Sequence, residues 1–178
     1  MTAAAPHDPA VGTAASGPPT PGPVPASGSL PTPKALLEAP GYLVRRMYQA
    51  YVASWVRHVD GLLTGPQFAV LVAVDENPGA DQGSLAAAVA LDRSTMADIA
   101  RRMQEKGLIT RTADVHDGRR RLLNLTEQGS ETLARSNART RQLDEQLLAQ
   151  FHGAERAEVM DLLERLSEHW SELADSDD

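Results

Sequence analysis

The stretch Leu91–Leu125 constrains the fold more than any other part of this chain, because a helix signature runs directly into two strand-forming runs. Asp92 precedes the helix and can accept hydrogen bonds from the free amides of its first turn, with Ser94 and Thr95 as alternative caps. Gly107 follows the last apolar position and is a good terminator. The predicted helix has one apolar stripe at helical spacing, made of Met96, Ile99, Ala100 and Met103.

Two short strands joined by a basic turn follow this helix. Leu108 and Ile109 begin the first strand, and residues 122–125 end the second. Between them lies the turn-rich segment 114–118, and a run of three arginines at 119–121 comes directly after it. The pattern predicts a β-hairpin with a positively charged loop beside the helix.

A helix with one buried and one polar face, next to a basic hairpin, is suited to binding a DNA duplex. An α-helix fits the major groove, and a basic loop can reach the phosphate backbone or the minor groove. A solvated surface without a partner is the plainer interpretation of the same pattern. The side chains on the polar face are Arg93, Ser94, Ala97, Asp98 and Arg101.

The net charge of −7 is unusual for a nucleic-acid-binding protein, but the charges are unevenly distributed. Residues 91–125 hold eight Lys and Arg against five Asp and Glu, whereas residues 126–178 hold five against thirteen. Positive charge therefore collects in the stretch expected to face DNA, and the local field steers association more than the total charge does. Because this basic surface is small, we expect a dimer to be needed to add contacts.

Composition and motifs argue against several other classes of protein. The chain has no cysteine, which excludes disulfides, thiol-based redox sensing and cysteine-ligated zinc. Its five histidines are scattered, so we expect neither a metal site nor a cofactor. Phosphate loops, nucleophile elbows and paired metal motifs are missing, so an enzyme is not expected. Without a long apolar run or a secretory signal, a cytoplasmic location and no membrane partner are expected.

The two ends of the chain differ from its middle. Residues 1–33 are rich in Pro, Ala and Gly and hold nine of the twelve prolines, which predicts a disordered tail. A domain is expected over 34–174, and the acidic residues 175–178 are expected to fray. The first helix of this domain is expected over about 34–60, with an interruption at Pro40-Gly41. It is apolar on two sides and so needs two partners, one of which could be a second subunit.

A DNA-binding lobe is expected at about 62–126, where two short helices precede the one described first. Thr64 can cap a helix that runs to about Glu76, and Asp81 can cap the next, over Gln82–Val89. Two helices joined by a tight turn form a helix-turn-helix, whose second helix reads bases. Beyond the lobe, residues 127–174 predict two more helices, the first capped by Thr126 and continuing to about Phe151, the second from Ala154 to about Ala174.

This order of helices and hairpin resembles the MarR family of winged helix-turn-helix transcriptional regulators. The likeness covers roughly residues 40–170. It implies a mainly α fold with a small β-hairpin, in which N- and C-terminal helices of two subunits interlock. The motifs that carry it are Leu63–Leu71, Leu91–Thr95, Glu105–Ile109, Asp117–Arg120 and Leu125–Gly129.

The resemblance also implies how the chain meets double-stranded DNA. The helix at 93–106 would enter the major groove, where Ser94 and Thr95 could contact bases or phosphates, and the hairpin tip would enter the minor groove. Carried over by position, Asp117 would hold Arg119 in the minor groove and Arg120 would lie at the backbone. A plain turn residue is the alternative role for Asp117.

Asp98 departs from the family pattern, which often has Arg or a small polar residue at this position. Its carboxylate could accept from a cytosine amino group, but pairing with Arg101 or Arg102 on the same helix is the favoured interpretation.

Family members commonly release DNA when a small aromatic acid binds between the dimer helices and the DNA-binding lobe. The Tyr-Leu-Val-Arg-Arg run after Gly41 is similar to a branch that senses aromatic acids or their coenzyme A thioesters. Aromatic side chains at this spacing can equally belong to the core or to a dimer seam, and His58 can be a structural or surface residue. The candidate ligand contacts are Arg45, Arg46, Tyr48, Tyr51, Trp55, His58 and Phe68.

The sequence therefore predicts a homodimeric, sequence-specific DNA-binding repressor that a small aromatic or anionic ligand releases from a pseudo-palindromic operator, with half-sites about 10 bp apart. A DNA-binding protein without a ligand switch and a protein-interaction module are the alternatives. Release of DNA by a ligand would exclude the first. Unchanged activity after charge-neutral substitution of Arg119, Arg120 and Arg121 would favour the second.

Overall fold

The computed structural model describes residues 30–59, 61 and 63–176, and it divides the chain into two compact units between Ala39 and Pro40. The predicted disordered tail lies almost wholly outside the described residues. One short helix, α1, belongs to the first unit, and the other elements belong to the second. In chain order they are α1 (Lys34–Leu37), α2 (Pro40–His58), α3 (Gly65–Glu76), α4 (Gln82–Ala88), α5 (Arg93–Glu105), β1 (Ile109–Ala113), β2 (Arg121–Leu125), α6 (Glu127–Leu147) and α7 (Ala154–Asp175).

The interruption of the first predicted helix lies two residues earlier than the sequence indicated. Glu38 and Ala39 separate α1 from α2, and Pro40 is the first residue of α2 rather than part of the break. Proline has no N–H to donate, and the first turn of a helix needs none from it, so it is well tolerated there.

The main core forms where α3, α4 and α5 pack against the hairpin. Val70 and Leu71 of α3, Leu85 of α4 and Leu123 of β2 are essentially inaccessible to solvent. The predicted stripe of α5 is confirmed, since Met96, Ala100 and Met103 are fully buried and Ile99 packs against the same cluster. Burial of an aliphatic side chain of this size stabilises the fold by about 1.5–3 kcal/mol, so this stripe fixes which face of α5 remains outside.

Local capping sets the start of each helix in this lobe, as predicted. The side chain of Thr64 accepts from the Gln67 amide, and the Gln67 side chain accepts from the Thr64 amide, which closes a capping box. Asp81 and Asp92 cap α4 and α5. Gly107 has a φ of +70° and ends α5, a conformation that costs other residues strain.

The β1–β2 hairpin, with its tip at residues 114–120, is called the wing below. Its strands pair antiparallel from Ile109 opposite Leu125 to Ala113 opposite Arg121. The segment before α4 joins this sheet, because the Gly79 amide donates to the Leu123 carbonyl and the Leu123 amide donates to the Ala80 carbonyl. The middle of the wing is thereby attached to the segment that leads into α4.

The C-terminal helices differ from prediction in one boundary. α6 ends at Leu147, four residues before the predicted end at Phe151. Leu148 caps this end, and its backbone, with a φ of −106° and a ψ of 11°, has left the helical conformation. α7 begins at Ala154 as predicted, and none of its residues is buried in the chain. It continues to Asp175, one residue into the predicted acidic fray, whose last two residues are not described.

Candidate DNA-binding interface

The polar face of α5 lies on the surface, on the side away from the core. Arg93, Ser94, Thr95, Asp98 and Arg101 are all exposed, as a helix that reads a groove requires. Ala97 is half-buried at the edge of this face. Since alanine offers only a methyl group, its contribution would be an apolar contact or close approach of the helix to DNA.

The first turn of α5 is held by a dense set of hydrogen bonds to Asp92. One carboxylate oxygen accepts from the amides of Ser94 and Thr95, each at 2.9 Å. Both hydroxyl groups also donate to Asp92, each at 2.5 Å. These bonds hold the pKa of the Asp92 carboxyl well below its usual range, so it is ionised at neutral pH. In this arrangement the two hydroxyl groups have only acceptor capacity left for another partner, because both donate their protons to Asp92.

Asp98 pairs with arginines on its own helix, which confirms the favoured prediction for this residue. Its carboxylate lies 3.2 Å from Arg101 and 3.6 Å from Arg102. Arg101 also donates to Glu105 at 2.9 Å, and both carboxylates raise the pKa of Arg101. Among the described residues, Arg93 is the arginine of α5 that has no carboxylate partner. The positive charge of the α5 surface is therefore largely balanced by carboxylates of the same helix.

A cationic cleft of about 340 Å³ lies between α4, α5 and the wing. Five arginines and a single carboxylate border it, so its field is strongly positive although the chain as a whole is acidic. Of the residues that line it, the sequence had predicted Arg93, Arg119 and Arg120 as DNA contacts. The lining residues are Asp81, Gln82, Gly83, Ala86, Arg93, Met96, Arg111, Arg119, Arg120 and Arg121.

Arg120 is paired within the protein. Its guanidinium lies 2.5 Å from the carboxylate of Asp81, and Asp114 lies 3.9 Å away on the other side. The hydrogen bond to Asp81 raises the pKa of Arg120, while Ser84 and Arg120 together hold the pKa of the Asp81 carboxyl below its usual range. The backbone contact inferred for Arg120 from the resemblance would require this ion pair to share or release the guanidinium.

Asp117 holds Arg119 through the main chain. Its carboxylate accepts from the Arg119 amide at 3.0 Å, and the Arg120 amide donates to the Asp117 carbonyl at 2.9 Å. This is the geometry of a plain turn residue, which was the alternative role that the sequence allowed for Asp117. No carboxylate pairs with the guanidinium of Arg119 in the described part of the chain, which leaves that charge available to DNA.

Seven lining residues were absent from the predicted interface, and three of them, Gln82, Arg111 and Arg121, carry long polar or charged side chains. The guanidinium of Arg111 donates to Gln82 at 3.0 Å, and its Nε is buried without a hydrogen-bond partner. Arg121 donates to the Gly118 carbonyl at 2.8 Å. The position of Arg111, two residues after the buried Ile109 in a strand, could have indicated an inward-facing cation. For Gln82 the sequence carried no comparable signal.

The seven candidate ligand residues fall into two groups. The rings of the first group, Tyr51, Trp55 and Phe68, pack in a row at tilted angles, with successive centroids 5.9 Å and 5.5 Å apart. Trp55 is 4% exposed and its indole N–H donates to the Leu63 carbonyl at 2.9 Å, so it belongs to the core, as the alternative interpretation held. Burial and the neighbouring Asp144 raise the pKa of Tyr51. The exposed members are Arg45, Arg46, Tyr48 and His58.

Neither a membrane-spanning helix nor a metal-binding cluster occurs in the described residues. Within residues 30–59, 61 and 63–176, no helix is long and apolar enough to cross a membrane. The same residues contain no cluster of His, Asp and Glu side chains that could hold a metal ion.

Comparison with known proteins places this geometry in a family. A sequence model described as the MarR family matches residues 63–120, the segment from the start of α3 to the wing tip. The transcriptional regulator HosA of Escherichia coli O111:H- is 32% identical over 123 residues, which cover 69% of this chain and 90% of HosA.

Solved structures of transcriptional regulators agree in fold. The PcaV regulator of Streptomyces coelicolor, in complex with its natural ligand, is 35% identical, with a TM-score of 0.73 over 80% of this chain and 98% of its own. The repressor CouR, bound to a 23-mer DNA duplex, is 26% identical, with a TM-score of 0.70 over 79% of this chain and 99% of its own. The chain therefore belongs to the MarR family and has its winged helix-turn-helix fold.

Proposed function

We propose that this protein is a homodimeric repressor that binds a pseudo-palindromic DNA site and leaves it when a small aromatic ligand binds. The observation that carries the proposal is the cationic cleft beside the exposed face of α5. A helix with an outward polar face and a flanking arginine-lined wing can read the major groove while it holds the adjacent backbone. We expect a regulator without catalytic activity.

The roles we propose for individual residues follow from their exposure and pairing. The residues that would lie against the major groove are Arg93, Ser94, Thr95 and Ala97. Asp98 and Arg101 would release each other and contact DNA instead. Arg119 would enter the minor groove, since its guanidinium has no carboxylate partner in the described residues and a narrow minor groove attracts such a cation.

Apolar side chains on the surface support a dimer. On α2, Leu43, Val44, Met47, Val52 and Val56 are between 38% and 71% exposed. Such a run exceeds what a monomer usually leaves in water, and it lies on a helix that the sequence predicted to need a second partner. The exposed apolar residues of α7 are Met160, Leu162, Leu163, Leu166, Trp170 and Leu173.

The proposed ligand class rests on relatives of the same fold. CouR has been solved with p-coumaroyl-CoA, and PcaV with its natural ligand. In this chain, Tyr51 is half-buried on the Trp55–Phe68 cluster, and α2 presents Arg45, Arg46, Tyr48 and His58 on its exposed surface. We propose that an aromatic ring would lie against Tyr51 and that a cation of α2 would meet its carboxylate or phosphate groups.

The first test is selection of bound duplexes from a random library by the purified full chain at fixed salt. We expect a two-fold symmetric consensus with half-sites about 10 bp apart. Fluorescence anisotropy with that duplex then screens aromatic acids and their coenzyme A thioesters for release. Enrichment of a consensus without release by any of them would leave a DNA-binding protein that lacks this ligand switch, and no enrichment would contradict sequence-specific binding.

A pair of matched variants tests the wing contact. Arg119→Gln should lower affinity for the selected duplex about tenfold and reduce the salt dependence of binding by about one phosphate, because one cation no longer displaces a counterion. The control Arg165→Gln removes the same charge from α7, where Arg165 is 71% exposed and pairs with Asp161. Equal effects of the two variants would argue for a general charge effect and against a wing contact. A protein-interaction module would leave both without effect on its activity.

A further inference from the structure

We propose that Asp81 and Arg120 are a positioning pair that fixes the wing against α4, and that Arg120 raises DNA affinity through this role rather than by contacting a phosphate. The inference rests on the proposed DNA binding and names a further part of the same interface. It assigns a favourable role to a carboxylate on a surface that faces a polyanion.

The pair joins two elements that are distant in the chain. Arg120 Nη2 and Asp81 Oδ2 are 2.5 Å apart and the residues are 39 positions apart. The Asp81 side chain is 16% exposed, whereas that of Arg120 is 51% exposed. A carboxylate so sheltered is a better partner than one in open solvent, because water screens the attraction less.

The pair continues a set of contacts that starts at the middle of the two wing strands. Gly79 and Ala80 exchange backbone hydrogen bonds with Leu123, and Gln82 accepts from Arg111 at 3.0 Å. Asp81 therefore lies within a segment of four residues that touches both strands. Of these contacts, the one to Arg120 lies nearest the tip of the wing. It is therefore placed to control the angle at which Arg119 projects.

The ion pair also decides what Arg120 can offer to DNA. Its charge is already balanced by Asp81, with Asp114 close by. Moving the guanidinium to a phosphate would leave the Asp81 carboxylate unpaired beside the DNA backbone. A positioning role requires no such exchange, so the two roles predict opposite results when Asp81 loses its charge.

Asp81→Asn is the decisive variant, because asparagine is as good a helix cap as aspartate and leaves α4 intact. If Arg120 binds a phosphate, removal of a nearby negative charge should strengthen DNA binding. If the pair positions the wing, we expect binding to weaken about two- to fivefold, the size of an exposed ion pair. Because Asp92 also orients Ser94 and Thr95, its variant serves as the control for the wing exchange measured below and not for DNA affinity. Asp92→Asn makes the same change at the cap of α5, where no arginine among the described residues pairs with the carboxylate. It should not loosen the wing.

Arg120 variants supply the second half of a double-mutant cycle. Arg120→Gln should weaken binding with little change in salt dependence, unlike Arg119→Gln, and Arg120→Lys should restore part of the affinity. Asp81→Asn combined with Arg120→Gln should cost no more than either change alone. A drop in salt dependence by about one phosphate with Arg120→Gln, or effects of opposite sign for the two single variants, would overturn the proposal.

Hydrogen exchange on the free protein separates this inference from the proposed function. Asp81→Asn and Arg120→Gln should speed the exchange of wing amides over 109–125, while Asp92→Asn should not. This measurement needs no DNA, so it remains decisive even if no duplex is selected. Unchanged wing exchange in both variants would refute the positioning role.

Discussion

At the scale of single residues, Gly129 shows how closely the start of α6 approaches the wing. A Cβ at this position would overlap the carbonyl oxygen of Leu108, which is main chain and cannot rotate away. We expect Gly129→Ala to lower the free energy of unfolding by about 1–3 kcal/mol, as overpacking commonly does. Urea titration followed by circular dichroism would measure it. Gly41→Ala is the control, because a Cβ there meets no atom within 4 Å, and equal losses would contradict the steric explanation.

Residue-level predictions from the sequence succeeded where the interaction is local. Asp81, Asp92 and Thr126 were recognised as caps because the partner amides lie two or three residues away. The ion pair of Asp81 with Arg120 was not foreseen, since nothing within one sequence indicates which of three neighbouring arginines turns toward a distant carboxylate. Asp98 could be predicted because its partners lie three and four positions along the same helix.

At the scale of elements, one small cluster joins α2 to α6. Trp55, Val59 and Leu143 are each less than 5% exposed and are packed together apart from the main core. Leu143→Ala should destabilise the protein by about 2–5 kcal/mol, because the cavity cannot fully collapse. Thermal unfolding would report it. Val115→Ala removes the same kind of surface from the wing tip, where the side chain is 90% exposed, and should leave the melting temperature unchanged.

Helix identities were easier to predict than helix ends. The stripe of α5 and the breaker at Gly107 define that helix completely, so its start and end agree with the prediction to within one residue. The larger apolar groups of this segment continue past the end of α6, at Leu148 and Phe151, and the end of the helix was placed four residues too late. Periodicity indicates a helix only where one face is buried, and the packing that ends α6 depends on neighbours that the sequence does not identify.

At the scale of the whole molecule, the exposed apolar residues of α7 predict that dimerisation and DNA binding are linked. Leu166→Glu places a charge among side chains that the isolated chain leaves 37% to 56% exposed. We expect sedimentation equilibrium to show monomers where the parent is dimeric, and binding of the symmetric duplex to weaken at least tenfold as half the contacts are lost. Glu164→Gln on the same helix is the control. A dimer that survives Leu166→Glu would place the interface elsewhere.

The fold could be predicted as a whole because several weak signals occur in a fixed order over most of the chain. No single motif between Leu63 and Gly129 identifies the family, but the order of the motifs along the chain does. The ligand site could not be predicted in the same way. Aromatic residues at helical spacing fit a core and a pocket equally well, and the structure assigns Trp55 to the core of the chain while Tyr48 lies 61% exposed.

The ion pairs within α5 have a consequence for how the protein binds non-target DNA. This helix carries three arginines against two carboxylates, and two of those arginines already have partners. Retention on random sequence grows with the number of phosphates that a protein neutralises. We therefore expect α5 to add little to retention on non-target DNA and the arginines of the cleft to account for most of it.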